Sequence, residues 1–554
     1  VTSKAGAVDG GRPTPPRRGS ACRLASLGIA ACAFAITPAA ARAASSPLLS
    51  SDAGDAFYCP LHANAARAAS TRAGATGGLA EAAFARPPQP TLIKGQEFQD
   101  PPVLRSHDGV LNVRLNVVRK KVIVGGKLMD STTYNGLYAG PTLRVKLGDR
   151  INVTLVNTAG KLTNQPTNLH FHGLHVSPAG DHDNIFRHVA PGESAKYNVT
   201  LGKGNFPGTY WYHSHMHGYS EAQLVNGLSG VIVVEGQRKL LPKAFAGIKE
   251  HVLSLKTAQI NDGAISAGKY SVWAEADSPP HDAKTPIPPN VRLIGNQLQP
   301  KIRIRPGEVQ LWHIANTGAN VLYKVQLEKS HFTVISEDAN ALDAPQNMKT
   351  LFMGGGQRFD VLVTGPPSGT LKLRTIGFTP DKGIVAPTRV LATLVSSGKP
   401  MKTPPAPKKG ILPFIPLDNA PIAARRTFTF GKNGVFADTG FPRFTIDKEI
   451  FEENRIDVRA KLGTVEEWTL VNTTGVHPFH MHINAFQVMS INGKPYHAHS
   501  RVDTFVLPRT LPGRPPSTMV VRIPFEGFTG KFVFHCHILG HEDLGMMKTI
   551  QVDP

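Results

Sequence analysis

The chain has 554 residues, of which 41% are hydrophobic and 18% charged, and its net charge is +21. That length allows three or four domains with sizeable cores, and the composition excludes a wholly disordered chain. The only long uncharged apolar run, residues 24–36, is too short for a bilayer, which needs about 20 residues. The positive charge also forms no basic stripe interleaved with aromatics, so neither a membrane span nor nucleic-acid binding is expected.

The first 43 residues read as an export signal. Lys4, Arg12, Arg17, Arg18 and Arg23 precede the apolar run, and Ala41-Arg42-Ala43 offers a small-x-small cleavage site. The Arg17-Arg18 pair admits twin-arginine export beside the general secretory route. Either route predicts a periplasmic or secreted protein. Residues 44–96 are Ala-rich and read as a disordered linker. Cys22 and Cys32 leave with the signal, so Cys59 and Cys536 remain. A disulfide between them is set aside, because Cys536 sits in a metal-ligand pattern.

An internal repeat sets the architecture. Segments starting at Gly148, Gly307 and Gly463 each run through β-formers to Asn157-Thr158, Asn316-Thr317 and Asn472-Thr473. This is a strand followed by a turn, three times at a near-constant period. A second frame starts at Gly208, Gly369 and Gly530. It ends on His213 and His215, on Arg374 and Ile376, and on His535, Cys536 and His537. Three related β domains follow, at 97–235, 236–405 and 420–554, with a linker at 406–419. Each is long enough for a Greek-key sandwich or barrel. The middle one is expected to hold no metal ligand.

The 22 histidines include six His-x-His pairs, where random placement gives about one. Four pairs lie in strand-like frames of the outer repeats: 170/172, 213/215, 480/482 and 535/537. On a strand, residues i and i+2 share a face, so each pair presents two imidazoles together. Eight imidazoles exceed one ion's coordination, which implies a multinuclear cluster in the seam between the first and third domains. Cys536 points opposite His535 and His537. With His477, His541 and Met546 it makes a thiolate, imidazole and thioether set of the blue-copper kind.

These segments resemble the three-domain multicopper oxidases: laccases, bilirubin oxidases and bacterial copper-efflux oxidases. The resemblance covers about residues 97–554. It implies an all-β chain of three cupredoxin-like Greek-key β-barrel domains and four copper ions. By position, His477, Cys536 and His541 would bind the type 1 copper, with Met546 axial and Met547 as the rival. His170 and His480 would bind type 2 copper. His172, His213, His215, His482, His535 and His537 would bind the type 3 pair. Asp181, with Asp183 as rival, and Glu542 resemble the acids that serve proton delivery. The implied activity is laccase-like oxidation of phenols or aromatic amines coupled to reduction of dioxygen to water. The scattered methionines weigh against a dedicated Cu(I) oxidase of the periplasm, which stays the alternative. A copper-sequestering protein and a copperless structural relative are the readings from other classes. His217, His497 and His499 are expected to be ordinary surface or core residues.

Overall fold

Runs of alternating β-formers between Gly and Asn-Thr turns build paired sheets in each third of the chain. A computed structural model describes residues 92–261, 264–265, 290–382, 384–437 and 440–554. The expected signal, Cys59 and most of the expected linker lie outside these residues. Helix is confined to short segments such as Ser220–Asn226 and Leu539–Asp543.

The two repeated frames are the two halves of each sandwich. Arg150–Asn157, Val309–Asn316 and Thr464–Asn472 are strands of one sheet of each unit. Gly208–His213, Gly369–Thr375 and Gly530–Cys536 are strands of the facing sheet. In the first unit Val153 and Leu155 meet Tyr210 and Tyr212 in one core. Trp468 and Phe534 do the same in the third, and Trp312 and Leu373 in the second. Each core is contiguous and apolar, so removing one such side chain would cost about 2–5 kcal/mol.

The second frame pairs with a strand that carries the other histidines. His170 lies opposite His213 in one antiparallel ladder, and His480 opposite His535 in another. In the middle unit the matching ladder places Gln326 opposite Arg374 and Val325 opposite Thr375. The middle sandwich therefore keeps the frame and lacks the imidazoles.

One expectation needs correction. Residues 92–96 do not belong to a disordered linker. Ile93 donates its N–H to the Gly125 carbonyl at 2.8 Å, and Gly95 to Leu298 at 3.2 Å. Lys94 and Glu97 bridge in parallel to Leu298 and Lys301. The segment satisfies its backbone on both the first unit, at Gly125, and the middle unit, at Leu298, a gain that composition does not reveal.

The first and middle units are joined by buried polar groups. Asp360 accepts from His313 Nδ1 at 2.7 Å and from Gln237 Nε2 at 2.7 Å. Thr209 donates to the same carboxylate. Burial opposes the His313 charge, but Asp360 and Glu250 override it and lift its pKa to about 9. That stabilisation is fully present below the unfolded value near 6.5 and is lost as pH rises through 9. A shift of this size corresponds to roughly 3 kcal/mol. His313→Gln should therefore lower the melting temperature most near pH 6. The gap to wild type should narrow by pH 10 in thermal melts across that range; a gap of constant size would refute the charged-His assignment.

Candidate metal centre

Strand alternation delivers the imidazoles in pairs. His170 and His172 lie on a three-residue strand, fully buried, beside Gly208–His213. His480 and His482 come from the strand His477–Met481 and the residue after it, beside Gly530–Cys536. All eight cluster histidines are buried in the seam between the outer units.

They converge in groups. His172, His213 and His537 hold ligand nitrogens within 4.8 Å of one another, and so do His215, His482 and His535. His170 and His480 form a further group with His172. His172 belongs both to its trio and to the group with His170 and His480. His170 stacks on His482 and His172 on His480, each with centroids 3.9 Å apart.

Four of the rings have a contact that fixes one nitrogen and frees the other. His170 Nδ1 lies 3.0 Å from both Asp183 oxygens, leaving Nε2 unpartnered. His213 Nδ1 donates to the Ser214 carbonyl at 2.8 Å, leaving Nε2 unpartnered. His480 Nδ1 donates to the Asp503 carbonyl at 2.8 Å, again freeing Nε2. His172 is held instead through Nε2, 3.1 Å from Asp503 Oδ1, and its Nδ1 is free. Burial holds the pKa of His170, His172, His213, His482, His535 and His537 well below the usual imidazole value. Neutral rings present lone pairs rather than protons.

A second, smaller group holds the thiolate. His477 Nδ1 lies 3.4 Å from Cys536 Sγ, His541 Nδ1 lies 3.6 Å from it, and the two nitrogens are 3.2 Å apart. Thr474 Oγ1 meets His477 Nε2 at 2.8 Å, and Phe444 stacks on His541 at 3.8 Å. Met546 shares the buried core with Cys536, and its carbonyl accepts the Cys536 N–H at 3.1 Å. Met547 packs elsewhere, against Ile185, Phe451 and Val533. Met546 is thus the methionine on the Cys536 side.

Of the two expected acids, one is placed at the cluster and one is not. Glu542 is fully buried, with Oε2 3.0 Å from His535 Nδ1 and Oε1 3.5 Å from His215 Nδ1. Asp181 is exposed and bonds Asn198. Asp183 occupies the position foreseen for Asp181. It is buried against His170, accepts the Phe171 N–H at 2.9 Å, and is pushed by burial up to about 8. The loop from Ser177 to Asp183 turns outward at Asp181 and inward two residues later. His217 packs edge-on to Phe451, and His499 pairs with Asp343 on the surface.

Sequence reasoning did not find Asp503, Thr474, Phe444 or any residue of the middle unit. Gly356, at φ +86°, lies so close that a Cβ would fall 2.6 Å from His172 Cε1. Arg358 is fully buried and forks onto Asp503 at 2.7 and 2.6 Å. Burial opposes ionisation of Asp503, and this guanidinium overrides it, so its carboxyl stays below the ordinary value. A cavity of about 230 Å³, roofed by Pro413, Phe414 and Ile415, reaches Asp503 from the outer side.

The short helix Leu539–Asp543 ties the two groups together. His541 joins the thiolate group, and Glu542 meets the cluster. Asp543 accepts N–H bonds from Gly218 at 2.8 Å and Glu221 at 2.9 Å, at the start of Ser220–Asn226. Gly540 N–H donates to Asn320 Oδ1 of the middle unit at 2.9 Å.

Unpartnered, neutral, buried nitrogens that converge are costly unless a cation sits among them. Nε2 of His535 lies 3.1 Å from Nε2 of His215 and 3.2 Å from Nε2 of His482. Imidazole with one thiolate is a donor set that copper favours. Copper therefore fits the residues present.

Fold and site together define a three-unit β protein in which a thiolate group adjoins an eight-imidazole cluster. Sequence profiles described as "Multicopper oxidase" match residues 116–239, 254–397 and 423–554. The chain is similar to a multicopper oxidase of Staphylococcus haemolyticus, 25% identical over 81% of this chain and 90% of that protein. It is also similar to a laccase of Bacillus stratosphericus, 24% identical over 76% of this chain and 90% of that one. A solved multicopper oxidase from Campylobacter jejuni, titled a metallo-oxidase, superposes with TM-score 0.70 at 25% identity, covering 84% of this chain and 96% of that one. The chain belongs to the multicopper oxidase family, copper-dependent oxidoreductases that use dioxygen as acceptor.

The two acids give a direct contrast. Asp183→Asn should lower oxygen uptake about tenfold or more, because the partner that orients His170 is altered. Asp181→Asn should stay within about twofold of wild type, as expected for a surface carboxylate. Steady-state oxygen consumption with one reductant measures both, and equal effects would refute the placement.

Proposed function

We propose that this chain is a laccase-like oxidase of phenols or aromatic amines, exported to the periplasm or the exterior, with four coppers. The carrying observation is that Cys536 sits in the thiolate group while its chain neighbours His535 and His537 each belong to one imidazole trio. His477, Cys536 and His541, with Met546 beside them, would hold type 1 copper. His170 and His480 would hold type 2 copper, and the remaining six histidines the type 3 pair. When bound, the coppers supply one-electron oxidation of the reductant and four-electron reduction of dioxygen to water. Cys536 and its two neighbours then give a covalent route of a few bonds between the groups. The seam buries every ligand nitrogen and keeps bulk water from the cluster. Glu542, against His535 and His215, and Asp183, against His170, are carboxylates able to hold or pass a proton. The N-terminal basic, apolar and small-x-small pattern supports export.

The surroundings of His477 and His541 support an organic reductant over Cu(I). After burial, the Lys432 cation is the next influence on His477, and on His541 it follows His477; in both cases it disfavours protonation. Its Nζ lies 5.0 Å from the centroid of Phe444, the ring stacked on His541. A cation beside an aromatic face repels a metal ion and accepts an electron-rich ring or phenolate. Among the described residues the only exposed methionine is Met401, on the way into the third unit.

Cys536→Ser should yield a colourless copper-loaded protein without oxygen uptake; a variant that stays blue would sink the type 1 assignment. Metal analysis of wild type should give about four coppers per chain. Lys432→Glu should shift the kcat/KM ratio about tenfold from phenol toward Cu(I), and an unchanged ratio would remove the argument for an organic substrate.

A further inference from the structure

Among the described residues the middle unit contributes no imidazole to the cluster, yet it reaches it with residues 354–358. A Cβ at Gly355 would lie 2.3 Å from the His537 carbonyl oxygen, so only glycine permits this approach. Two residues past Gly356 comes the buried guanidinium of Arg358. Its Nε donates to the Thr209 carbonyl of the first unit at 3.0 Å. Its Nη1 donates to Gly356 O at 3.1 Å, and the fork grips Asp503 of the third unit. One side chain bonds all three units at the cluster.

We propose that Arg358 is a positioning residue for the type 2 side of the cluster, acting through Asp503. Asp503 touches two of the imidazoles. Oδ1 of its carboxylate lies 3.1 Å from His172 Nε2 and 3.5 Å from the type 2 candidate His480 Nδ1, and its backbone carbonyl accepts from His480 Nδ1 at 2.8 Å. Together with Thr504 Oγ1, 3.4 Å from His172 Nε2 and 3.0 Å from His480 Nδ1, these contacts turn His172 Nδ1 and His480 Nε2 inward, the atoms left unpartnered. The Asp503 backbone is independently held by Asp338, which accepts the N–H of Asp503 at 3.2 Å and of Thr504 at 3.1 Å. The carboxylate is held by the charged, bidentate fork and by a neutral hydrogen bond from Thr504 Oγ1 to Oδ1 at 2.9 Å, so the fork is the stronger of its two restraints. A buried Arg–carboxylate pair is often neutral for stability against an apolar pair of similar volume. Its effect here is on ring orientation, hence on how tightly one copper is held.

This rests on the copper assignment above. Arg358→Lys keeps the charge and loses the bidentate fork. The double variant Arg358→Leu/Asp503→Leu removes both members of the fork together; Asp338, 3.3 Å from Arg358 Nη1, keeps its three backbone N–H donors. Both are loaded with copper beside wild type. Blue absorbance, type 2 electron paramagnetic resonance, copper release to a chelator, and apoprotein melting are measured. The expected result is an unchanged blue band per chain and near-unchanged apoprotein melting. The type 2 hyperfine coupling should be altered, and one copper should be released about tenfold faster or more. Wild-type type 2 parameters and release in both variants would overturn the proposal. So would loss of blue and type 2 copper in parallel with a lowered apoprotein melt, the mark of a purely structural pair. A wild type with no type 2 signal would overturn the copper assignment itself, and this inference with it.

Discussion

The organising constraint is electrostatic. Eight buried imidazoles bring their ring nitrogens together away from water, and among the described residues nothing polar meets His170 Nε2, His172 Nδ1, His213 Nε2, His480 Nε2 or either nitrogen of His537. Such an arrangement is unfavourable for an isolated polypeptide and favourable around cations. Much of the surrounding structure can be understood as holding that unfavourable geometry in place. The paired ladders fix the strand registers, and hydrogen bonds from Asp183, Ser214, Asp503 and Thr474 each choose a nitrogen.

The division of labour among the three sandwiches follows. The outer two give the ligands because their ladders carry histidine at matched registers. The middle one has Gln326 and Arg374 there instead. It is not a passive spacer. Its glycine loop touches His172 and His537, its Asn320 holds the helix bearing His541, and its Arg358 reaches Asp503. The domain without ligands thereby becomes the shared wall of the site.

The sandwich architecture and the twelve candidate copper-site residues were legible because both are local. Period-two alternation marks a His-x-His pair as one face of a strand, and the triple repeat marks which frames are equivalent. The second set of groups was not legible, since each meets the cluster by tertiary approach. Arg358 starts a mostly apolar strand that also carries Asp360, and it reads like any edge residue until its burial is seen. Asp181 and Asp183 differ by two positions in a loop with no period, so nothing local says which turns inward. Met546 and Met547 separate only through the cores they enter. Residues 92–96 read as linker because composition cannot register a backbone pairing with a strand 200 residues away.

The helix Leu539–Asp543 carries a consequence for how this protein can change. His541, Glu542 and Asp543 are consecutive and serve three separate tasks: the thiolate group, the cluster, and the start of another helix. Successive helical residues point about 100° apart. Inserting or deleting one residue would therefore rotate every later assignment away from its partner at once. Substitution can tune each position alone, but the length of this turn is locked, and divergence along the lineage must go around it.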